Sequence, residues 1–311
     1  ETYSSDRNEF ENPKVGGDYP EYINMAAWGQ GARPEIDMTG STAHFVSVGT
    51  IPWGNDPIVD SDVCNNFRMF DFEITNDTVA DCGHILVKPA GDNIEFHRIK
   101  CHNTSYEDGF IYLPTSDPIA GNEAERNIYF ADIELSQCQN RGFKIESEGV
   151  TVRNCYGEND GTLTDTEIPA PQAAHRPGVD IKFVVCIVAN PSTSTLGFQV
   201  RAGKHTYEWV YSEGEFHCAV VYNHLANDGV GGDYDIDSSS WFRNFIIKGA
   251  HQAGYFGRQG GTTDNPDGVR FDQIELIECE GGFQVAYGAL NTVFSYVDAS
   301  STKGWGFQVF S

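Results

Sequence analysis

The sequence predicts an all-β chain coiled as a right-handed parallel β-helix, a solenoid of roughly nine or ten coils of about 27 residues. Three observations predict this fold. A glycine-led motif recurs along the chain, a second apolar motif precedes it in phase, and no helical 3.6-residue periodicity is sustained anywhere. We expect an irregular N-terminal cap over residues 1–60 and the parallel β-helix over residues 61–311.

The glycine-led motif is clearest as Gly-Phe-Gln-Val, which begins at Gly197, Gly282 and Gly306. Weaker copies begin at Gly83, Gly109, Gly142 and Gly254. Successive copies lie 26, 33, 55, 57, 28 and 24 residues apart, so that two intervals are close to double a unit of about 27 residues. A fixed period of this length indicates a stack of similar units, which has no globular size limit.

The second motif has the form aliphatic-x-aromatic-x-x-Ile and spans residues 94–99, 128–133 and 269–274. Alternation of apolar and polar residues over such short runs is typical of strands. Together the two motifs make residues 60–311 resemble the pectin-lyase-like superfamily of right-handed β-helices. That resemblance implies the fold, and because many members cleave or epimerise acidic polysaccharides, it also raises the expectation of an activity on glycans.

Two regions interrupt the repeat. Residues 157–180, rich in Thr, Pro and Ala, are predicted to form a long loop inserted in the solenoid. The sequence ends inside Gly306-Phe-Gln-Val-Phe-Ser, in the middle of an expected coil. Truncation, a partner subunit covering that edge, or further sequence would each account for this ending.

Charge limits the classes of partner. The chain has 45 acidic against 20 basic residues and a formal net charge of −25. This charge composition is halophile-like. Self-repulsion destabilises such a chain in dilute buffer, whereas at about 1 M salt the Debye length falls to roughly 3 Å and the repulsion is screened. An ordinary acidic secreted protein is the alternative. No basic stripe favours nucleic acid, and no apolar run approaches the length that spans a bilayer.

An extracellular, cell-surface or virion location is expected. The sequons at Asn76 and Asn103 are compatible with export. The eight Cys residues contain no Cys-x-x-Cys pair, so zinc sites of the common spacing are not predicted. Thiols buried in the solenoid and disulfides both remain open.

Catalytic candidates come from the polygalacturonase-like hydrolases, whose motifs include Gly-His-Gly and Arg-Ile-Lys. Gly83-His84 and Arg98-Ile99-Lys100 are similar to two of these motifs, but the second Gly and the preceding Asp motifs are missing. His84, Arg98 and Lys100 are therefore weak candidates. The alternative places Arg98 at a solvated turn position that other repeats fill with Asp132, Asn154, Asn244 and Gln273.

Two further clusters are candidates for binding. Asp233, Asp235 and Asp237 alternate, so an extended segment would place three carboxylates on one face, where Ca²⁺ would relieve their repulsion. A solvated acidic strand is the alternative reading. Tyr207, Trp209 and Tyr211 also alternate and are predicted to form one aromatic face that binds glycan. Burial beneath the 157–180 loop or against another subunit is the alternative there.

Two functional hypotheses follow. The favoured one is a non-catalytic spike, fibre or adhesin that binds a polysaccharide or cell-surface glycan and assembles as a homo-oligomer or larger structure. The other is a polysaccharide lyase or glycoside hydrolase that acts on an extracellular polysaccharide, with carboxylates or Arg as acid and base. Neither hypothesis involves nucleic acid or membrane insertion.

Overall fold

The computed structural model describes nineteen segments of the chain. They are residues 9–10, 23–26, 33–40, 45–48, 64–77, 84–87, 91–104, 111–113, 127–138, 142–145, 149–158, 180–190, 196–200, 204–215, 218–224, 240–258, 268–286, 289 and 291–310, the last of these carrying two strands. Within these segments the regular structure is all strand, and each strand pair is parallel. This confirms the prediction of an all-β chain built from parallel sheets. No helix in the described segments is long and apolar enough to cross a membrane.

The largest sheet has 13 strands, and ten of them follow one another in chain order. These ten are β2 (Ile23–Ala26), β5 (Cys64–Phe70), β8 (Gly91–His97), β11 (Ile128–Cys138), β13 (Val150–Glu158), β14 (Asp180–Asn190), β16 (Lys204–Gly214), β18 (Trp241–Lys248), β20 (Arg270–Ile277) and β22 (Val293–Asp298). A branch joined through β11 contains β3 (Glu35–Asp37), β6 (Glu73–Asp77) and β9 (Lys100–Thr104).

Two five-stranded sheets show the same sequential order. The first contains β1 (Glu9–Phe10), β4 (Val46–Val48), β7 (Ile85–Val87), β10 (Ile111–Leu113) and β12 (Phe143–Ile145). The second contains β15 (Leu196–Val200), β17 (Cys218–His224), β19 (Gln252–Arg258), β21 (Gly281–Val285) and β23 (Phe307–Val309). Side chains that hydrogen-bond between neighbouring strands of the large sheet lie from 22 to 39 residues apart in the chain, a range that includes the predicted repeat of about 27 residues.

The segments on either side of the repeat extend the same ladders. Described strands inside residues 1–60 pair in parallel with strands β5, β6 and β7. Gly157 and Glu158 close β13 and Asp180 opens β14, while residues 159–179 of the predicted loop lie outside the described segments.

The core contains a column of stacked aromatic rings. Phe96 and Phe130 stack at 5.0 Å between ring centroids, and Phe271 stacks at 4.7 Å on both Phe242 and Phe294. Parallel pairing in register places equivalent residues of successive strands directly over one another, which is why the aromatic positions of neighbouring motif copies stack, at Phe96 and Phe130 and again from Phe242 to Phe294. The aliphatic positions of that motif are buried beside it.

Glycine is required where two chain segments approach closely. A Cβ at Gly282 would lie 1.9 Å from the carbonyl oxygen of Gly306, so a side chain clashes there and a small backbone movement does not relieve the clash. These two glycines belong to successive copies of the Gly-Phe-Gln-Val motif, and their phenylalanines pair in register. Glycine therefore recurs in this motif because the backbones of neighbouring coils pack against each other at the start of β21 and just before β23.

Candidate functional site

The outer face of the large sheet carries a column of residues with left-handed backbone conformation. The column consists of Asp71, Arg98, Asp132, Asn154, Trp209, Asn244, Gln273 and Tyr296, with φ between 52° and 65°. We call it the left-handed column. Each member except Asp71 and Arg98 lies within a strand, at a position skipped by the pairing register.

The second sequence motif explains this column. In aromatic-x-x-Ile, both end residues face the core, although strict alternation would place them on opposite faces. One extra residue in the left-handed region restores the inward direction of the second residue, and its own side chain is left outside. The second x of the motif is thus the left-handed position, as with Gln273 between Phe271 and Ile274.

The N-terminal half of the column satisfies its own polar groups. Arg98 donates two hydrogen bonds to Asp71, from Nε to Oδ1 at 2.6 Å and from a terminal nitrogen to Oδ2 at 2.8 Å. Asn154 Nδ2 donates to Asp132 Oδ1 at 3.0 Å. The hydrogen bond from Arg98 lowers the pKa of Asp71, and the same contact raises the pKa of Arg98.

Carboxylates next to this half are also paired with cations. Lys100 Nζ lies 2.7 Å from Glu73 Oε1, which His102 Nε2 approaches to 3.0 Å. The hydrogen bond from Lys100 is the main cause of a lowered pKa of Glu73. A general acid for glycoside cleavage needs a carboxyl whose pKa is raised. Asp71 and Glu73 have the opposite shift, so both are held as anions at neutral pH.

The three catalytic candidates do not form one surface site. His84 is fully buried in the core before β7, and its backbone carbonyl accepts a hydrogen bond from Val46 N. Burial separates the His84 side chain from a substrate at the surface, and a catalytic role for it stays an untested prediction. Arg98 and Lys100 lie on the outer face in the ion pairs described above. Arg98 occupies the position equivalent to Asp132, Asn154, Asn244 and Gln273, with which the alternative interpretation grouped it, although those four residues lie within strands and not in turns.

The C-terminal half of the column differs from the N-terminal half. It presents two aromatic side chains, Trp209 with 60% of its surface exposed and Tyr296 with 84%. Between them lie the half-buried Asn244 and the exposed Gln273. No described residue forms a hydrogen bond with either of these two side-chain amides. Both amides are therefore available to hydrogen-bond a ligand.

The predicted aromatic face is wrong in its geometry. Tyr207 is fully buried, and its ring stacks on Phe242 with 5.0 Å between centroids, so it belongs to the core. The left-handed conformation of Trp209 interrupts the alternation, and Val210 faces inward instead. Tyr211 is half-buried on the outer face, where its hydroxyl donates to Glu213 Oε2 at 2.7 Å. That hydrogen bond raises the pKa of Tyr211.

Other large exposed side chains lie on the outer face of β16 and its neighbouring strands and were not identified from the sequence. Trp241 is exposed on the neighbouring strand, and the Arg243 guanidinium lies over its ring, 4.7 Å from the centroid. Arg243 also donates to Glu208. The outward column that contains Tyr211 continues in register through the exposed Tyr156 and Ile187. We call Trp209, Tyr211, Trp241, Tyr156 and Ile187 the aromatic face.

A sequence signal for these residues exists but is easily missed. Tyr207-x-x-Val210 and Phe294-x-x-Val297 are copies of the second motif with a different last residue, and they place Trp209 and Tyr296 at the second x. Reading that position across all copies would have located the left-handed column.

The predicted calcium ligands Asp233, Asp235 and Asp237 lie outside the described segments. Within the described segments, no group of three or more His, Cys, Asp or Glu side chains is arranged to hold a metal ion.

Comparison with known proteins found no matching family model and no matching curated protein. Among solved structures, the chain is similar to a GH136 lacto-N-biosidase from Eubacterium ramulus, with 11% identity and a TM-score of 0.44. It is also similar to the catalytic domain of a GH87 α-1,3-glucanase in complex with nigerose, with 10% identity and a TM-score of 0.30. The similarities cover 93% of this chain but only 58% and 63% of those chains, respectively. Such distant similarity does not assign an activity.

Proposed function

We propose that this protein is a right-handed parallel β-helix that binds glycan on its outer face around Trp209, without cleaving it, outside the cell. The observation that carries the proposal is Trp209 itself, which combines a left-handed backbone, φ 58°, with 60% exposure of its surface. A bulky side chain in this region is a conformational outlier, and such outliers cluster at functional sites.

The chemistry of the aromatic face suits a sugar. Indole and phenol rings present flat apolar surfaces that pack against the C–H faces of pyranose rings, while their polar edges and neighbouring groups bind hydroxyls. Trp209, Tyr211 and Trp241 supply the rings. The ion pairs between Arg243 and Glu208 and between Lys248 and Glu213 supply donors and acceptors at their edge.

Binding is favoured over cleavage by the state of the acidic groups. Each carboxyl group on the outer face of the described sheet whose pKa departs from its ordinary range has a lowered pKa, Asp71, Glu73 and Glu213 among them. Each of these three accepts a hydrogen bond from a cation. None of the three is suited to deliver a proton to a glycosidic oxygen.

The architecture supports the proposal because a stack of parallel strands presents equivalent outward positions at a regular spacing of about 4.8 Å. The sequential strand order of all three sheets and the chain intervals between paired strands are what a coil of this kind requires. The ladder hydrogen bonds fix the backbone at these positions before a ligand arrives, so less backbone entropy is lost on binding.

The experiment is retention on insoluble neutral and acidic polysaccharides in about 1–3 M salt, where self-repulsion is screened. The wild type is compared with Trp209→Asn and with Tyr255→Asn, a control at a half-buried tyrosine in β19 of another sheet. We expect wild type and control to be retained and Trp209→Asn to bind at least about tenfold more weakly.

Equal retention of Trp209→Asn and wild type would overturn the assignment of the aromatic face. The soluble fraction is also tested for new reducing ends and for absorbance of unsaturated sugars. Their appearance with purified wild-type protein would replace the binding proposal with the hydrolase or lyase hypothesis.

A further inference from the structure

We infer that the glycan site continues along the left-handed column to Tyr296 and takes a linear, uncharged polysaccharide that lies across the strands, parallel to the direction of stacking. This inference rests on the proposed function of the aromatic face and adds the class of ligand. We call Trp209, Asn244, Gln273 and Tyr296 the track.

The four residues of the track are aligned by the register of the sheet. They occupy β16, β18, β20 and β22, which are consecutive neighbours, at equivalent positions of the strands. Neighbouring strands are about 4.8 Å apart, so Trp209 and Tyr296 are separated by about 14 Å along the stack. Along the track the side chains are therefore an aromatic ring, two amides and a second aromatic ring. This order suits a polysaccharide whose sugar rings stack on both aromatic rings and whose hydroxyl groups hydrogen-bond to the amides between them.

The two halves of the left-handed column differ in how their side chains are hydrogen-bonded, although all members occupy equivalent positions of the repeat. In the N-terminal half, the polar side chains bond to one another, as Asp71 with Arg98 and Asp132 with Asn154. In the track, the described residues leave both amides without a hydrogen bond, although Asn244 and Gln273 stand one strand apart. The track thus keeps its hydrogen-bonding capacity for a ligand.

Both ends of the track carry a residue type that this backbone conformation disfavours. Asn and Asp tolerate the left-handed region, whereas aromatic residues seldom adopt it. Trp209 and Tyr296 nevertheless occupy it at φ 58° and 54° and remain largely exposed. Packing of the core does not require exposed rings, so their occurrence at both ends of one line indicates contact with a ligand.

The charges beside the track select against polyanions. Asp272 adjoins it on one side, and Glu275 and Asp298 adjoin it on the other, in the outward columns of β20 and β22. Arg243 is already paired with Glu208, which leaves Arg270 as a nearby cation at the start of β20. With a net charge of −25, the chain repels uronate or sulfate polymers, whereas hydroxyl groups can donate to these carboxylates.

The inference is tested by calorimetric titration with disaccharides and hexasaccharides of a β-1,4-glucan, a β-1,3-glucan and a β-1,4-mannan, with oligogalacturonate as the charged comparison. A disaccharide is shorter than the separation of the two rings, and a hexasaccharide is longer. The variants are Trp209→Asn and Tyr296→Asn, each of which introduces the residue that the column already carries at 154 and 244.

We expect Trp209→Asn to weaken binding of both lengths at least tenfold, and Tyr296→Asn to weaken the hexasaccharide at least fivefold without affecting the disaccharide. Asn244→Asp and Gln273→Glu keep the side-chain size but remove the N–H donors, and each should weaken the hexasaccharide severalfold. Asn154→Asp, in the N-terminal half of the same column, is the matched control and should bind as the wild type does.

The outcomes separate this inference from the proposed function. If Trp209→Asn loses binding while Tyr296→Asn binds the hexasaccharide like the wild type, the aromatic face stands and the track is wrong. If oligogalacturonate binds more tightly than every neutral hexasaccharide, the uncharged class is wrong. If the wild type binds none of the oligosaccharides or polysaccharides, the proposed function fails and the track fails with it.

Discussion

Replacing Tyr296 by Asn is expected to stabilise the β22 region even though it removes a large side chain. Tyr296 is 84% exposed, so only about one sixth of its surface is buried. Full burial of a side chain of this size contributes about 1.5–3 kcal/mol, and one sixth of that is at most about 0.5 kcal/mol. The packing lost in Tyr296→Asn is therefore small.

The backbone term acts in the opposite direction. At φ 54°, an ordinary side chain costs about 1–2 kcal/mol, and Asn avoids much of this cost because its short polar side chain is tolerated there. Relief of about 1 kcal/mol set against a loss of up to about 0.5 kcal/mol leaves a net gain of about 0.5–1 kcal/mol. Local opening of β22 should become about two- to fivefold rarer.

Hydrogen exchange of the backbone amides in β22, followed by mass spectrometry, measures this opening directly. We expect about two- to fivefold slower exchange in Tyr296→Asn than in the wild type. Asn244→Ala, which removes a tolerant residue from the same column, should give faster exchange in β18. Faster exchange of β22 in Tyr296→Asn would show that the ring contributes more by packing than its backbone conformation costs, and would remove one support of the track.

Four further predictions concern stability. Phe271 is 2% exposed and has rings stacked on both sides. Phe271→Ala should therefore lower the free energy of unfolding, measured in urea, by about 3–5 kcal/mol, and Phe271→Leu by less than about 1.5 kcal/mol. Equal losses would contradict the contribution of the stacked aromatic rings to the core. Asp71→Asn removes an exposed ion pair worth about 1 kcal/mol or less. Because the pKa of Asp71 is lowered by folding, this contribution is present above the unfolded pKa and lost as pH falls through the folded one. The difference in urea midpoint between wild type and Asp71→Asn should therefore shrink as the pH falls through the lowered pKa of Asp71, and a constant difference would exclude the pair. Raising NaCl from about 0.1 M to above 1 M should raise the Tm, since screening relieves the net charge of −25, and a falling Tm would contradict the halophile-like interpretation. If calcium binds, chelation at fixed ionic strength should lower the Tm of the wild type. The Tm of a variant with Asn at the three predicted ligands, Asp233, Asp235 and Asp237, should not change on chelation. An unchanged Tm of the wild type would exclude the calcium site.

The sequence by itself determined the all-β class, the parallel stacking and most of the core. These follow from local regularities, because a repeated motif places the same residue type on each strand, and parallel pairing then superposes the copies. Phe96, Phe130 and Phe271 were identifiable as one buried set for this reason. The equivalence of Arg98 to Asp132 and Asn154 followed from the same comparison of copies.

The tertiary structure alone decided which faces the functional candidates share. Alternation predicted one face for Tyr207, Trp209 and Tyr211, but one left-handed residue shifts every side chain after it to the opposite face. Burial of His84 and the line from Trp209 to Tyr296 depend on which strands become neighbours, and their partners are tens of residues apart in the chain. The motif copies indicate which positions are equivalent, but the distances between their side chains are set by strand register, which forms only when the strands pack into a sheet.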